Sequence, residues 1–358
     1  MVHNRKKILV VGYNIKGLGG KETVCKKFYD LLSVDSKVEF VFIDDYKQGV
    51  GEVNDEWLGD ASYTRITSKV SNTKVRRISF AAKIAILIRN KCPDIIVAID
   101  PLSCYVSHMA RAFSFRRPVL YSWIHLSLDA LYKSKYVARA DFHLAISSGI
   151  VKQLIDMGVS ENRISLIYNS VARAGSFIPR PRDVVRFLYV GRLCEKDKKI
   201  SEMLKALSSL SGEWELYVLG SGPDEEALKK LAVELQISQN VTWVGWKAQP
   251  WNYVRENIKE VSALLLTSRV EGFGMSLAEA MSYGVYCISS DCKYGPSDII
   301  RPPINGVLYP PGREDILTER LQAIVDGEQV PDGEKIRDSI EHLYDDSYLA
   351  RIKAAFKI

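Results

Sequence analysis

A chain of 358 residues, 47% hydrophobic and 26% charged, has apolar material for two domain cores and too much of it for a disordered or fibrous protein. The net charge of +6 conceals an asymmetry, because residues 1–175 carry 26 Lys and Arg against 16 Asp and Glu, whereas residues 176–358 carry 23 against 27. No apolar run reaches the roughly 18 residues of a spanning helix, and the opening MVHNRKKILVVGY passes from charge straight into a strand, so neither a signal peptide nor a transmembrane helix is expected.

Short runs rich in Val, Ile and Leu alternate with longer helical patterns, the signature of buried parallel strands joined by crossover helices. In chain order the expected strands are Ile8–Gly12, Val38–Ile43, Ile95–Ile99, Val119–Ser122 and Phe142–Ile146, then Arg186–Val190, Trp214–Leu219, Val241–Val244, Ala263–Thr267 and Val285–Ser289. Between the two sets, SVARAGSFIPRPRDVVR gathers Gly175, Pro179, Pro181 and several charges, which reads as a seam. The expectation is α/β: two doubly wound Rossmann-like domains in series, residues 1–175 and 176–340, with a C-terminal helix over 341–358 packing back on the first. Six scattered cysteines without a C-x-x-C pair read as reduced core residues of a cytoplasmic protein.

Three places carry chemistry. Strand one ends in GYNIKGLGGKETV, where Gly17, Gly19 and Gly20 precede a helix and can bring backbone N–H groups against a phosphate. The third glycine of the dinucleotide fingerprint is missing, and Glu22 stands where a P-loop needs Ser or Thr, although Asp44 lies about where a ribose-binding acid would. A tight turn without ligand is the alternative. Next, GRLCEKDKK places Arg192 and Lys198 around a strand-to-helix loop, where a guanidinium and an ammonium can hold a diphosphate, or stand as solvated loop cations. Finally SRVEGFGMSLAEAMSYG puts Glu271 in a glycine-bearing loop and Glu279 on a helix expected from Met275 to a Gly284 cap. In the first half, His125 and Asp100 follow strands. Their plainer readings are a satisfied structural histidine and a cap on the next helix.

Taken together, the Glu271-x7-Glu279 pair, Gly191-Arg192-Leu193 with Lys198, the Gly19-Gly20 turn and the late Asn305-Gly306 resemble glycosyltransferase family 4, a retaining family of GT-B fold whose two domains face each other across a cleft. Within it, GLGGKETV, SWIHLSLD, ADFHLAISSGI, VSALLLTS, EGFGMSLAEAMSYG and CISSDCKYGPSDII are most similar to enzymes moving galactose from UDP-galactose to a glucose of the lipopolysaccharide core in α-1,6 linkage. The resemblance implies that Arg192 and Lys198 neutralise the diphosphate, Glu279 holds the ribose, Val244 and Trp246 border the uracil, and Glu271 with Gly274 and Met275 grips the donor sugar. His125 and Asp100 would contact substrates as further catalytic residues.

It also implies same-face displacement without an enzymic nucleophile and without a metal, cofactor or nucleic-acid partner. The acceptor would be membrane-anchored, and SHMARAFSFRRP, with Arg111, Arg116 and Arg117 beside Phe113 and Phe115, suggests peripheral contact with the cytoplasmic face of an anionic inner membrane. Two other readings stay open. A nucleotide-sugar epimerase would share the donor pocket and need no acceptor, and a non-catalytic binder of anionic ligands would use the basic half without turnover.

Overall fold

The computed structural model describes residues 5–17, 20–45 and 53–358. In chain order they form β1 (Lys7–Tyr13), α1 (Gly20–Leu32), β2 (Lys37–Asp44), β3 (Tyr63–Thr67), α2 (Thr73–Lys91), β4 (Ile95–Ala98), α3 (Pro101–Ser114), β5 (Val119–Ile124), β6 (Phe142–Ala145), α4 (Ser148–Asp156) and β7 (Ile164–Leu166). There follow β8 (Val185–Val190), α5 (Glu195–Lys198), α6 (Ile200–Ser208), β9 (Trp214–Leu219), α7 (Glu225–Glu234), β10 (Val241–Gly245), α8 (Pro250–Tyr253) and β11 (Ala263–Leu266). The chain ends with α9 (Met275–Ser282), β12 (Tyr286–Ser290), α10 (Pro296–Ile299), β13 (Gly306–Tyr309), α11 (Glu314–Val325), α12 (Gly333–Asp338) and α13 (Asp345–Phe356). Two compact units result, residues 1–170 with 348–358, and residues 171–347.

The first unit holds a seven-stranded parallel sheet in the order β3-β2-β1-β4-β5-β6-β7. Strands such as Leu9, Val11, Val41, Ile43, Ile96 and Ala98 are buried against Phe80, Ile84 and Ile88 of α2, which is why they read as unbroken apolar runs. From Tyr348 onward α13 belongs to this unit. Phe356 meets Phe28 and Tyr121 with ring centroids 6.2 and 4.8 Å away, and the Tyr121 hydroxyl donates to the Ala355 carbonyl at 2.7 Å.

The second unit is a six-stranded parallel sheet, β10-β9-β8-β11-β12-β13. In both sheets the chain winds outward to one side and then to the other, so the strand order reverses between β1 and β4 in the first and between β8 and β11 in the second. At such a reversal the loops leaving the carboxyl ends part and open a crevice where ligands bind.

Three strands escaped the sequence pattern: β3, β7 and β13. All three are edge strands made mostly of half-buried residues, so no continuous apolar run marks them. The six cysteines are unpaired, and burial pushes the thiols of Cys25, Cys104 and Cys292 up to about 12. Among the described residues no helix is long and apolar enough to cross a membrane.

Candidate functional site

At the reversal point of the second sheet, the loop after β8 carries Gly191-Arg192-Leu193 and leads into α5, while the loop after β11 carries Ser268 to Gly274. Glycines let the first of these loops lie flat on its neighbour. Gly220 has φ of 150°, and a Cβ there would stand 1.8 Å from the Gly191 carbonyl oxygen; at Gly222 it would stand 2.1 Å from that of Leu193. The Leu193 amide donates to the Ser221 carbonyl at 2.9 Å, closing the packed turn. Thr267 then ties the two site loops together, its hydroxyl donating to the Lys198 and Lys199 carbonyls at 3.0 and 2.9 Å, and the Arg269 amide donates to the Asp197 carbonyl at 2.8 Å.

This scaffold sets Lys198 against Glu271. The ammonium lies 2.5 Å from Glu271 Oε1, and the buried Ser268 hydroxyl donates to the same oxygen at 2.6 Å. Ser290 holds Ser268 in turn, donating to its carbonyl at 2.6 Å. Removing one member of so enclosed a pair strands the other charge, which typically costs about 3–5 kcal/mol.

Gly274, at φ 100° and ψ 54°, opens α9 in a conformation that a side chain disfavours, and Met275 is the first helical residue. Glu279 sits one turn later. Its Oε2 accepts a 2.9 Å bond from the Trp251 indole, whose ring stacks on Tyr283 with centroids 5.3 Å apart. Burial raises the Glu279 pKa, and the Trp251 bond pulls it part of the way back. Sequence reasoning missed Trp251. The available signal was a tryptophan inside a short element, because a buried indole requires an acceptor for its N–H.

Of the other residues expected here, Arg192 is exposed with its nearest charge on Asp197 at 3.6 Å. Val244 is half-buried near the end of β10, and Trp246, 68% exposed, follows Gly245 at φ 78°.

In the first unit the acids at the carboxyl edge are already engaged. Asp100 caps α3 in a reciprocal box with Ser103, accepting its amide at 2.8 Å, and its second oxygen accepts the Tyr13 amide at 2.8 Å. That bond bridges the ends of β1 and β4 at the reversal point. Asp44, the candidate ribose acid, accepts from Arg65 at 2.7 Å, and Asp45 takes the Tyr13 hydroxyl at 2.5 Å and Arg76 at 2.9 Å. The Gly17 amide donates to Glu22 at 3.1 Å. Gly20 opens α1 with free space where a side chain would be, and Gly19 lies outside the described residues.

His125 is different. Its ring packs edge-on to Trp123 at 4.3 Å, and both ring nitrogens are sealed from solvent without a hydrogen-bond partner. Burial, assisted by the Lys21 charge, drives its pKa down to about 3, so the imidazole is neutral at physiological pH. A neutral ring offers one donor and one acceptor. Among the described residues no group of three or more His, Cys, Asp or Glu is gathered as a metal ligand set.

Comparison with known proteins agrees with this geometry. Residues 177–341, nearly the whole second unit, match the family of glycosyl transferases group 1. Over 356 residues, 98% of both chains, the sequence is 38% identical to lipopolysaccharide 1,6-galactosyltransferase of Salmonella typhimurium, and over 352 residues it is 38% identical to the enzyme of that name from Escherichia coli K12, covering 97% of this chain and 96% of that one. The solved apo structure of the lipopolysaccharide outer core galactosyltransferase WaaB superposes with a TM-score of 0.90 at 36% identity, covering 98% and 99% of the two chains. Anabaena HepE in complex with UDP shares the fold, with a TM-score of 0.79 at 16% identity over 98% and 99%. With relatives this similar along almost its full length, the chain belongs to the group 1 glycosyl transferases and is a glycosyltransferase of GT-B fold.

Proposed function

We propose that the enzyme moves galactose from UDP-galactose to a glucose of the lipopolysaccharide core, forming a 1,6 linkage with retention of the α configuration. The names of its full-length relatives supply the galactosyl group, the lipopolysaccharide acceptor and the 1,6 linkage, while UDP, the core glucose and the α configuration follow from the family resemblance. What supports the chemistry is the Lys198–Glu271 pair. In a nucleotide sugar, the bond that breaks joins the anomeric carbon to a phosphate oxygen. Positive charge develops on the carbon and negative charge on the oxygen, so a carboxylate and an ammonium side by side match that bond end for end.

In this reading Lys198 and Arg192 take the departing diphosphate, while Glu271, with the backbone of Gly274 and Met275, holds the sugar and steadies its positive character. Glu279 accepts ribose hydroxyls through the carboxylate that Trp251 fixes, and Val244 and Trp246 border the uracil. The acceptor hydroxyl attacks from the side of the leaving phosphate and hands its proton to a phosphate oxygen, so no protein nucleophile forms. Lys198, held by Glu271, and the exposed Arg192 perform the charge stabilisation that other transferases assign to a divalent ion, so no metal or cofactor is invoked.

A substrate hydroxyl would satisfy a ring nitrogen of His125. Asp100 acts indirectly, joining the ends of β1 and β4 through the Tyr13 amide. The acceptor would be presented at the cytoplasmic face of an anionic membrane.

The test incubates purified protein with a panel of UDP-sugars and truncated lipopolysaccharide cores, weighs the cores, and separates the UDP-sugars by chromatography, because UDP-glucose and UDP-galactose have the same mass. A mass gain of one hexose on the core with UDP-galactose is expected. Free UDP-glucose without core modification would instead mark an epimerase, and no change to donor or core would mark a binding protein.

A further inference from the structure

Helix α2 is untouched by the proposed chemistry, yet its outer surface is unusual. Its inner side, including Phe80, Ile84 and Ile88, is buried in the core. Surface helices ordinarily turn polar residues outward. Here the outward side carries Val75, Ile78 and Ile86, 50%, 50% and 54% exposed, with exposed Ala82 between them. At 3.6 residues per turn these four fall within an arc of about 80° and form one apolar stripe facing water. Arg89, on the same side, continues it: its guanidinium donates to the Phe113 carbonyl and stands 5.7 Å from the ring of Phe115, which is 91% exposed at the end of α3.

The surrounding charge has one sign. Residues 61–93 contain eight Lys and Arg and no Asp or Glu, and residues 101–128 contain three and none. Some of these cations serve the fold, since Arg76 pairs with Asp45, Lys91 with Glu39 and Arg111 with Asp141. Lys74, Lys83, Arg89, Arg116 and Arg117 are exposed and form no ion pair among the described residues.

The geometry points to an anionic phospholipid surface as the occupant of this face, with α2 lying flat in the headgroup layer. The stripe of Val75, Ile78 and Ile86, extended by Phe115, enters the apolar boundary while the flanking cations meet phosphates. A nucleic acid would match the cations but leave three β-branched side chains and a phenylalanine against a polar backbone. A second copy of the chain, meeting this face with the same face, would oppose cation to cation with no acid to offset them. This deepens the membrane contact of the proposed function and rests on it for the setting, but it uses none of the residues assigned to the donor.

The experiment sediments the full-length protein with vesicles of phosphatidylethanolamine and phosphatidylglycerol, and separately with vesicles of phosphatidylcholine. Ile78→Ser/Ile86→Ser/Phe115→Ser and Lys74→Glu/Arg116→Glu are run beside the wild type. Wild-type protein is expected on the anionic vesicles, and each variant should bind them about tenfold or more weakly. Transfer to a short soluble core acceptor should be unchanged in both variants, which also certifies their folding.

Equal binding by wild type and the triple-serine variant overturns the inference, as does equal binding to both vesicle types. So does a wild-type dimer that the serine substitutions dissociate, or binding to duplex DNA in place of vesicles. Loss of wild-type transfer to the soluble acceptor would sink the reaction instead, and would leave the vesicle result standing.

Discussion

The carboxyl edges of the two sheets share an architecture and use their polar residues in opposite ways. In the second unit the polar groups are bonded to one another: Lys198 and Ser268 to Glu271, and Trp251 of α8 to Glu279 of α9. In the first, the reversal is bridged by Asp100 reaching the Tyr13 amide, and Asp44 and Asp45 are held by Arg65, Tyr13 and Arg76. Among the described residues there, His125 is neutral and its ring nitrogens are without partners. The same fold thus presents charge on one unit and a neutral hydrogen-bonding group on the other. At the first edge Asp100 is claimed by backbone amides, and Asp44 and Asp45 by the side chains of Arg65, Tyr13 and Arg76.

The largest expected effect lies in the second unit. Glu271→Ala and Lys198→Ala should each lower kcat for galactosyl transfer by about 100-fold or more, the scale seen when one preorganised charge is removed from a transition state. Circular dichroism should remain that of a folded protein. Wild-type turnover by either variant would end the contrast, because the two edges would then be equally inert.

Acid should act chiefly on the first unit. His143, fully buried on β6 with Ser122 at 2.7 Å from Nδ1, is pushed by burial from 6.5 to about 4, and His125 to about 3. The unfolded chain binds these protons more readily than the folded one. Stability is therefore full above pH 6.5 and declines as pH falls below it, down to about pH 4 for His143 and about pH 3 for His125. For His143 the loss would reach about 3 kcal/mol. Urea midpoints of wild type and His143→Gln, measured from pH 7 downward, should converge as the wild type loses this increment.

Smaller effects separate structure from binding. Asp100→Ala removes a helix cap and should lower stability by about 1–2 kcal/mol. A full catalytic collapse at complete folding would show instead that Asp100 meets substrate. Trp251→Phe keeps the stacking on Tyr283 and deletes the bond to Glu279. The donor KM should rise several-fold, on the scale of one hydrogen bond, with kcat little changed. Because that bond lowers the Glu279 pKa, its loss should also move the acid limb of donor binding to higher pH.

The nine interior strands were legible because central parallel strands must be apolar on both faces, and one edge strand, β10, stood out with them. The edges β3, β7 and β13 were not, since one exposed side breaks the run. Helix α9 was legible from Gly274 and Gly284, glycines with φ of 100° and 77° that bracket it. Lys198 and Glu271 could be named from the chain, but their contact spans 73 residues and depends on Thr267 and Ser268, ordinary hydroxyls that no motif marks. The Trp251–Glu279 bond was hidden for the same reason: its meaning comes from a contact between α8 and α9.

In the proposed chemistry Lys198 meets phosphate where Glu271 meets the hexose, and calorimetric titration of UDP into two variants tests this directly. UDP carries the phosphates and lacks the transferred hexose, so Lys198→Met should weaken its binding about tenfold or more, while Glu271→Gln, which releases the lysine from its carboxylate, should keep or strengthen it despite losing transfer. Unchanged UDP affinity in Lys198→Met, or a matching loss in Glu271→Gln, would contradict the assignment.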